Sequence, residues 1–317
     1  GLLAGLSDDD PAGITTYSVL GASFGYQLLW VLLLSTIALI VFHGLGARMG
    51  VVTGQGLTGL IRQRFGVRSG LAATALLVVA NTGTTCAEFA GVAVGMELFG
   101  VSRLVSVPIA ATTVSLLVLR GSFHRVEHVL LVLSSVFIAY VVSGIASKPD
   151  WAAAGRGLVV PSSPLTREAL VIATATIGTT LAPWGLSFIQ SYAADKKLTV
   201  NDLKSERIDV VTGAVLTGVI GFFVVVACAA TLHDQGIRVH DAADAARALE
   251  PLAGSLASTL FAVGLVGAAL LAASILPLST AYSVSEFVGS ESSVDDHYGD
   301  ARLFYVSFVA IVVAGAA

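Results

Sequence analysis

The chain has 317 residues, of which 55% are hydrophobic and only 12% are charged. Soluble globular proteins contain about 25% charged residues, so this chain has too little polar surface for a water-soluble protein of its length. The formal net charge of −4 is small and gives no reason to expect a nucleic acid as a partner. We therefore predict an α-helical protein embedded in a lipid bilayer.

The hydrophobic residues fall into nine segments. Runs of about 20 apolar residues match the hydrocarbon core of a bilayer, and a backbone in lipid must satisfy its own hydrogen bonds, which favours helices. Two loops, 54–64 and 241–249, have the pattern of short amphipathic helices. The nine segments are 1–20, 26–45, 71–99, 104–118, 126–145, 169–192, 210–231, 256–288 and 303–317.

Basic residues predict the orientation of these segments. Of the 17 Lys and Arg residues, eleven lie in the loops that follow the even-numbered segments and six lie in the opposite loops. Because cytoplasmic loops carry the excess of Lys and Arg, we expect the N-terminus in the cytoplasm of a multi-pass protein of the cell membrane.

Segments 1 and 6 are each interrupted by a proline, with a glycine two residues later: Pro11 with Gly13, and Pro183 with Gly185. Proline removes a helical hydrogen bond, and glycine lets the chain leave helical geometry. Each segment should therefore consist of two half-helices joined by an unwound stretch. Matched breaks five segments apart are typical of an inverted-repeat transporter, in which they mark the central binding site.

Three consecutive carboxylates, Asp8, Asp9 and Asp10, precede the first proline. An Asp at the bilayer centre costs about 2.5–3.5 kcal/mol on insertion scales. At the C-terminal end of the first half-helix, the helix dipole would disfavour the anions further. A bound cation would relieve both penalties. We predict Asp10 as the principal ligand, and expect Asp8 and Asp9 to line an aqueous path or to make hydrogen bonds.

Segment 3 contains a further acidic residue, Glu88, near its middle. An intramembrane carboxyl group indicates a function in transport, although a structural hydrogen bond to a neighbouring helix explains it as well. Glu88 and Asp9 are therefore our candidates for a proton or ion path. We interpret all six histidines as solvated or interfacial side chains in or near loops: His43, His124, His128, His233, His240 and His297.

Four stretches resemble the NRAMP family of divalent metal transporters. Residues 10–13 (DPAG) stand where the family has Asp-Pro-Gly-Asn, and residues 182–184 (APW) stand where it has Met-Pro-His. Residues 47–54 resemble the loop after its second helix, and residues 87–91 resemble its third helix. The resemblance implies a LeuT-like inverted repeat of eleven or twelve helices with discontinuous helices 1 and 6, so we expect further helices after the ninth segment.

The sequence departs from the family pattern at the binding residues. Ala182 stands in place of the family's metal-binding methionine, and Gly13 stands in place of its asparagine ligand. Trp184 and Ile189 replace two histidines of the sixth helix, and Thr85 replaces an aspartate of the third. Soft thioether ligands select transition metals, whereas carboxylate, carbonyl and water ligands suit Mg²⁺ and Mn²⁺. This pattern resembles the NRAMP-related magnesium transporters of prokaryotes.

The resemblance implies a transporter that carries Mg²⁺, and also Mn²⁺, inward by alternating access. We expect no proton coupling, because Trp184, Ile189 and Thr85 leave few titratable groups for a proton path. Besides Asp10, the resemblance implies the backbone carbonyls of Ser7 and Thr179 as second candidate ligands, while Gly13 and Ala182 shape the pocket. The ion is then the transported substrate, and we expect no cofactor. We expect residues 1–317 to form one transmembrane domain, with the first repeat at about 1–146 and the second from about 165.

Other functions remain open at this point. A proton-coupled Mn²⁺/Fe²⁺ importer of the ordinary NRAMP kind would be expected to have the missing methionine. A sodium-coupled carrier of organic solutes would be expected to have fewer clustered acids at the break. An enzyme is disfavoured, because the sequence contains no His-Glu-x-x-His, Ser-x-x-Lys or Gly-x-Ser-x-Gly pattern.

Overall fold

The structure, a computed structural model, describes residues 2–120, 123–162, 166–242, 244–247, 255–290, 293–294 and 299–317. Within these ranges the secondary structure is helical throughout, as predicted. The fourteen helices labelled here are α1 (Leu2–Ser7), α2 (Pro11–Phe24), α3 (Leu29–Thr53), α4 (Leu57–Phe65), α5 (Val67–Glu97), α6 (Arg103–Arg120), α7 (Phe123–Ser134), α8 (Ile138–Ala146), α9 (Trp151–Val159), α10 (Arg167–Thr180), α11 (Pro183–Asp195), α12 (Leu203–Cys228), α13 (Ser255–Val288) and α14 (Arg302–Ala316).

Apart from the two breaks and a few terminal residues, every predicted hydrophobic segment is helical over its described residues. Among these residues, seven helical stretches are long and apolar enough to cross a membrane. The sixth segment counts as one stretch, Arg167–Asp195, across its short break. The first segment is not among the seven, because a longer break leaves α1 and α2 with only 6 and 14 residues. The ninth segment, α14, is not among them either, since it has only 15 residues.

The second segment extends further than its hydropathy predicted. We expected it to end at residue 45, but α3 continues to Thr53. It ends at Gly54, whose φ of 62° lies in the left-handed region that glycine adopts without steric penalty. The hydropathy of the last two turns is lowered by Arg48, whose side chain is exposed. The extension places His43 well inside the helix, which matters for the site below.

Loop helices were predicted less completely. The helix expected in loop 54–64 is α4, but α9 was not expected, because its nine residues are too few to appear as a hydrophobic segment. Its sequence signal is Asp150, which caps α9 by accepting hydrogen bonds from the amides of Ala152 and Ala153. In the loop predicted at 241–249, residues 242 and 244–247 are helical, while 243, 248 and 249 lie outside the described residues.

Helix α13 lies at the centre of the bundle and packs against α5, α8, α11 and α14. On the other side of the site, α3 packs closely against α11. Two glycines of α3 make this approach possible: Gly46 faces the side chains of Leu186 and Ile189, and Gly50 faces the carbonyl group of Gln190. The absence of side chains at both positions lets the α11 backbone lie directly against α3.

We expect Gly50→Ala to lower the thermal unfolding temperature of the purified protein in detergent. A β-carbon on Gly50 would overlap the Gln190 carbonyl group, and overpacking of this kind costs about 1–3 kcal/mol. Gly44→Ala is the matched control on the same helix, because no heavy atom lies within 4 Å of its β-carbon position. There, helix propensity favours alanine by about 0.5–1 kcal/mol. Equal unfolding temperatures for the two variants would contradict the described packing.

Candidate functional site

The two predicted breaks lie where proline begins a new helix. In the first segment, α1 ends at Ser7 and α2 begins at Pro11, so the three aspartates occupy the unwound stretch. In the sixth segment, α10 ends at Thr180 and α11 begins at Pro183. Proline is favoured at the first position of a helix because no helical hydrogen bond is lost there.

Asp10 caps the N-terminus of α2. Its Oδ1 accepts a hydrogen bond of 2.6 Å from the amide of Gly13. The expectation that the dipole of the first half-helix disfavours this carboxylate was therefore wrong for Asp10, which lies at the positive end of the second half-helix. Both the hydrogen bond and the dipole stabilise its ionised form.

A cavity of about 630 Å³ opens beside the two breaks, between α5, α10 and the start of α11. Three of the predicted site residues, Asp10, Thr179 and Ala182, line it. The other lining residues are mostly apolar and include Trp184. They are Ala12, Ala73, Leu76, Leu77, Ala80, Asn81, Thr84, Gly178, Pro183 and Trp184.

Gly13 lies between the two breaks. A methyl group on its Cα would be 3.4 Å from Asp10 Oδ1, 3.6 Å from Thr179 Oγ1 and 2.9 Å from the carbonyl oxygen of Asp8. The structure therefore brings Gly13, Asp10 and Thr179 together, and a side chain at position 13 would have to displace the Asp8 carbonyl group. Ser7 is the last residue of α1, and its hydroxyl donates to the carbonyl group of Leu3 within that helix.

Asp8 and Asp9 are buried, with exposed fractions of 1% and 0%. We expected them to line an aqueous path or to make hydrogen bonds, but neither carboxylate has a hydrogen-bond partner among the described residues. The prediction that the three aspartates avoid lipid is confirmed, since Asp10 is also only 4% exposed. Burial without partners is unfavourable for an ionised carboxylate, so Asp8 and Asp9 need a cation or a proton nearby.

His43 is the residue that the sequence analysis missed. We interpreted it as a loop or interfacial side chain, but it lies inside α3 and is only 1% exposed. Its Nε2 is 3.7 Å from Asp8 Oδ2. A signal was present in the sequence, because Ser35, Leu39, His43 and Ala47 recur every four residues and share one buried helix face. The period continues to Ala47, so it indicates a helix that extends beyond residue 45.

Glu88 lies on α5 and is fully buried. Its carboxylate has no hydrogen-bond partner among the described residues, so the structural hydrogen bond weighed as an alternative is not seen. When both groups are ionised, the carboxylates of Glu88 and Asp10 repel each other. One turn further along α5, Gly91 packs against Pro11, which brings α5 against the first break.

A hydrogen bond connects the two broken segments directly. Tyr17 on α2 and Thr180, the last residue of α10, place their hydroxyl oxygens 3.1 Å apart. Thr180 donates to the Thr176 carbonyl group, so the Tyr17 hydroxyl is the donor to Thr180. The pair links α2, which follows the first break, to the end of α10, where the second break begins.

The chemistry of this arrangement is that of oxygen ligands. Among the described residues, no group of three or more His, Cys, Asp or Glu side chains is placed to hold a metal ion together. A cation beside Asp10 would therefore be held by one carboxylate, by hydroxyl and carbonyl oxygens of the breaks, and by water. Ligands of this kind suit hard divalent cations that keep part of their hydration shell.

The sequence matches a family profile along its whole length and individual proteins along most of it. The profile of the Nramp family, described as "Natural resistance-associated macrophage protein-like", matches residues 1–317. The "Divalent metal cation transporter MntH" of Yersinia enterocolitica is 30% identical over 275 residues, which are 84% of this chain and 67% of that protein. The protein of the same name from Acidiphilium cryptum is 28% identical over 304 residues, 91% of this chain and 69% of that protein.

Solved structures match the fold. The Eremococcus coleocola manganese transporter, in complex with an aromatic bis-isothiourea substituted compound, aligns with a TM-score of 0.71 and 22% identity over 99% of this chain and 68% of that chain. A glutamate-to-glutamine mutant of that transporter aligns with a TM-score of 0.72 over the same shares of the two chains, also at 22% identity. The chain thus belongs to the Nramp family and has its LeuT-like, all-α membrane fold with discontinuous first and sixth segments.

Proposed function

We propose that this protein carries divalent metal ions, Mn²⁺ and Mg²⁺, across the cell membrane by alternating access. Family membership supports the reaction, and the names of its relatives, divalent metal cation transporters and a manganese transporter, support the class of substrate. The observation that carries the proposal is the position of the Asp10 carboxylate, which is buried at a helix N-terminus and lines the cavity shared by both breaks.

In this proposal Asp10 is the principal ligand. The backbone carbonyls of Ser7 and Thr179 are the second candidates, because both residues stand at or next to the end of a half-helix, where carbonyl groups lack helical partners. Gly13 and Ala182 contribute no ligand atoms beyond their backbones, and their small size leaves room for water around the ion. The lipid bilayer is the surrounding medium, and the metal ion is the transported substrate.

We expect Asp10→Ala to abolish divalent metal uptake into proteoliposomes while the protein still inserts and folds. Among the described residues that line the cavity, Asp10 is the only charged one, and the variant removes it. Asp300→Ala, at an exposed position, is the control and should transport normally. Mn²⁺ or Mg²⁺ uptake at the wild-type rate in Asp10→Ala would remove this residue from the site.

We include Mg²⁺ because the cavity has no soft sulfur ligand among the described residues that line it. Ala182 offers no thioether, and the only two methionines of the chain, Met49 and Met96, are not among the residues that line the cavity. Mg²⁺ loses its bound water reluctantly, so a roomy site lined by few direct ligands suits a partly hydrated ion. Weak, water-mediated contacts would then bind Mg²⁺ and Mn²⁺ at similar concentrations.

Replacement of Ala182 by methionine should shift selectivity toward Mn²⁺ and Cd²⁺. A thioether at this position adds a soft ligand and reduces the volume available for water. We expect Mg²⁺ to compete with Mn²⁺ uptake in the wild type and at least tenfold less effectively in Ala182→Met. Ala72→Met, at an exposed position of α5 outside the cavity, is the control. A wild-type protein that binds Cd²⁺ tightly and is indifferent to Mg²⁺ would contradict the hard-ligand argument.

Two further parts of the proposal concern organisation. Residues 1–317 form one transport domain, with a first repeat at about 1–146 and a second from about 165, in line with breaks that lie five segments apart. The N-terminus lies in the cytoplasm, as the excess of Lys and Arg in the even-numbered loops indicates. The α11 half of the sixth segment then points to the cytoplasm.

We also propose that metal transport is not tightly coupled to protons. Trp184 and Ile189 leave the sixth segment without a histidine, and Thr85 offers no carboxylate. Uptake of Mn²⁺ into liposomes that contain a pH-sensitive dye should therefore cause no matching acidification. Glu88 is the buried group to test, and Glu97→Gln, exposed at the end of the same helix, is its control. Acidification that follows metal entry and disappears only in Glu88→Gln would restore the proton-coupled alternative.

A further inference from the structure

His43 and Asp8 form a buried pair in which neither side chain is satisfied by the protein. The four polar atoms are Asp8 Oδ1 and Oδ2 and His43 Nδ1 and Nε2, and none has a hydrogen-bond partner among the described residues. Both residues are 1% exposed. The closest approach, from Nε2 to Oδ2, is 3.7 Å, which is longer than the hydrogen bonds of about 2.7–3.2 Å that such groups form when they meet directly.

Gly185 keeps a gap open beside this pair. A methyl group on its Cα would lie 2.8 Å from His43 Nε2 and 3.4 Å from Asp8 Oδ1. The gap is therefore bounded by a ring nitrogen of His43 from α3, a carboxylate from the first break, and the backbone of α11 just after the second break. Any residue larger than glycine at position 185 would occupy it.

The spacing suits a metal ion between the two side chains. With metal–ligand distances of about 2.1 Å to both nitrogen and oxygen, an ion that bridged atoms 3.7 Å apart would bind them at an angle of about 125°. A tetrahedral angle would require an approach of only about 0.3 Å. Carboxylate and imidazole are ligands that first-row divalent transition ions accept together, whereas Mg²⁺ prefers oxygen alone.

We propose that Asp8 and His43 hold a second metal site, separate from Asp10, that takes a divalent transition ion such as Mn²⁺ in preference to Mg²⁺. This second site rests on the proposed transport function, because the ion would bind there during transport. Asp8 lies two residues before Asp10, and Gly185 follows the proline of the second break, so the second site lies on the α1 and α11 side of the first. With α11 toward the cytoplasm, an inward-moving ion reaches Asp8 and His43 after it leaves Asp10.

An alternative explanation without a metal is an ion pair between a protonated His43 and an ionised Asp8. Only the metal site predicts that a nitrogen atom is bound directly to Mn²⁺. Pulsed electron paramagnetic resonance of bound Mn²⁺ detects the magnetic coupling of a directly bound ¹⁴N nucleus. We would measure it on the purified full chain, without a histidine tag, with Mn²⁺ as the only added metal.

In Asp10→Ala, which lacks the proposed first site, we expect bound Mn²⁺ to retain the nitrogen coupling. Adding His43→Gln to Asp10→Ala should remove the coupling and weaken Mn²⁺ binding at least tenfold. Gly185→Ala, which leaves both ligands in place but fills the gap, should have the same effect in that background. His240→Gln, at an exposed position, is the control and should change neither quantity.

The possible failures are distinguishable. Mn²⁺ that binds to the wild type without nitrogen coupling, or coupling that persists after His43→Gln, would overturn the second site and leave the proposed transport function intact. Nitrogen-coupled binding in a protein that moves no divalent metal in liposomes would overturn the transport function and leave the site intact. Absence of any Mn²⁺ binding would overturn both proposals.

Discussion

Four carboxylates are buried in the apolar helix bundle, and the cost of this burial determines what the site can bind. Asp8, Asp9, Asp10 and Glu88 are each 4% exposed or less. An ionised carboxylate taken out of water without a partner is strongly disfavoured, and among these four only Asp10 receives a hydrogen bond within the described residues. The other three carboxyl groups receive no such hydrogen bond, so a nearby cation or a bound proton would stabilise the folded centre. A transporter of cations makes use of this property.

The breaks make such a centre compatible with a membrane. An unbroken helix satisfies its own backbone and offers no carbonyl groups to an ion, whereas a helix that stops at Ser7 or Thr180 leaves its last carbonyl groups available. Proline then starts each second half-helix without the loss of a hydrogen bond. Small residues at positions 13, 182 and 185 prevent side chains from filling the space thus created. Charge and open space are both set by short stretches around two prolines.

The sequence predicted the helical fold and the two breaks because these depend on local rules, whereas the grouping of Asp10 with Thr179 and Ala182 was implied by the family resemblance. Proline ends a helix, and hydropathy identifies long apolar runs, whatever the tertiary context. The environment of His43 was not predicted from the sequence, because it depends on where α3 ends and on what packs against that helix. The dipole argument for Asp10 was wrong for a similar reason. A shift of one or two residues decides whether Asp10 lies at the end of α1 or caps the start of α2. The nine residues of α9 were too few for a hydropathy signal, although their capping residue was readable.

The hydroxyl contact between Tyr17 and Thr180 has a mechanical consequence. It ties α2 to α10 across the two breaks, while α1 is held elsewhere, through the hydrogen bond from Thr217 on α12 to the Gly5 carbonyl group. The half-helices α2 and α10 are thus linked directly to each other, whereas α1 is linked to α12. We expect a change of access to bend the chain at residues 8–10 and 181–182, because the regular helices are interrupted there. Because the proposed ligands lie at or next to these stretches, bending there would also change the coordination of a bound ion.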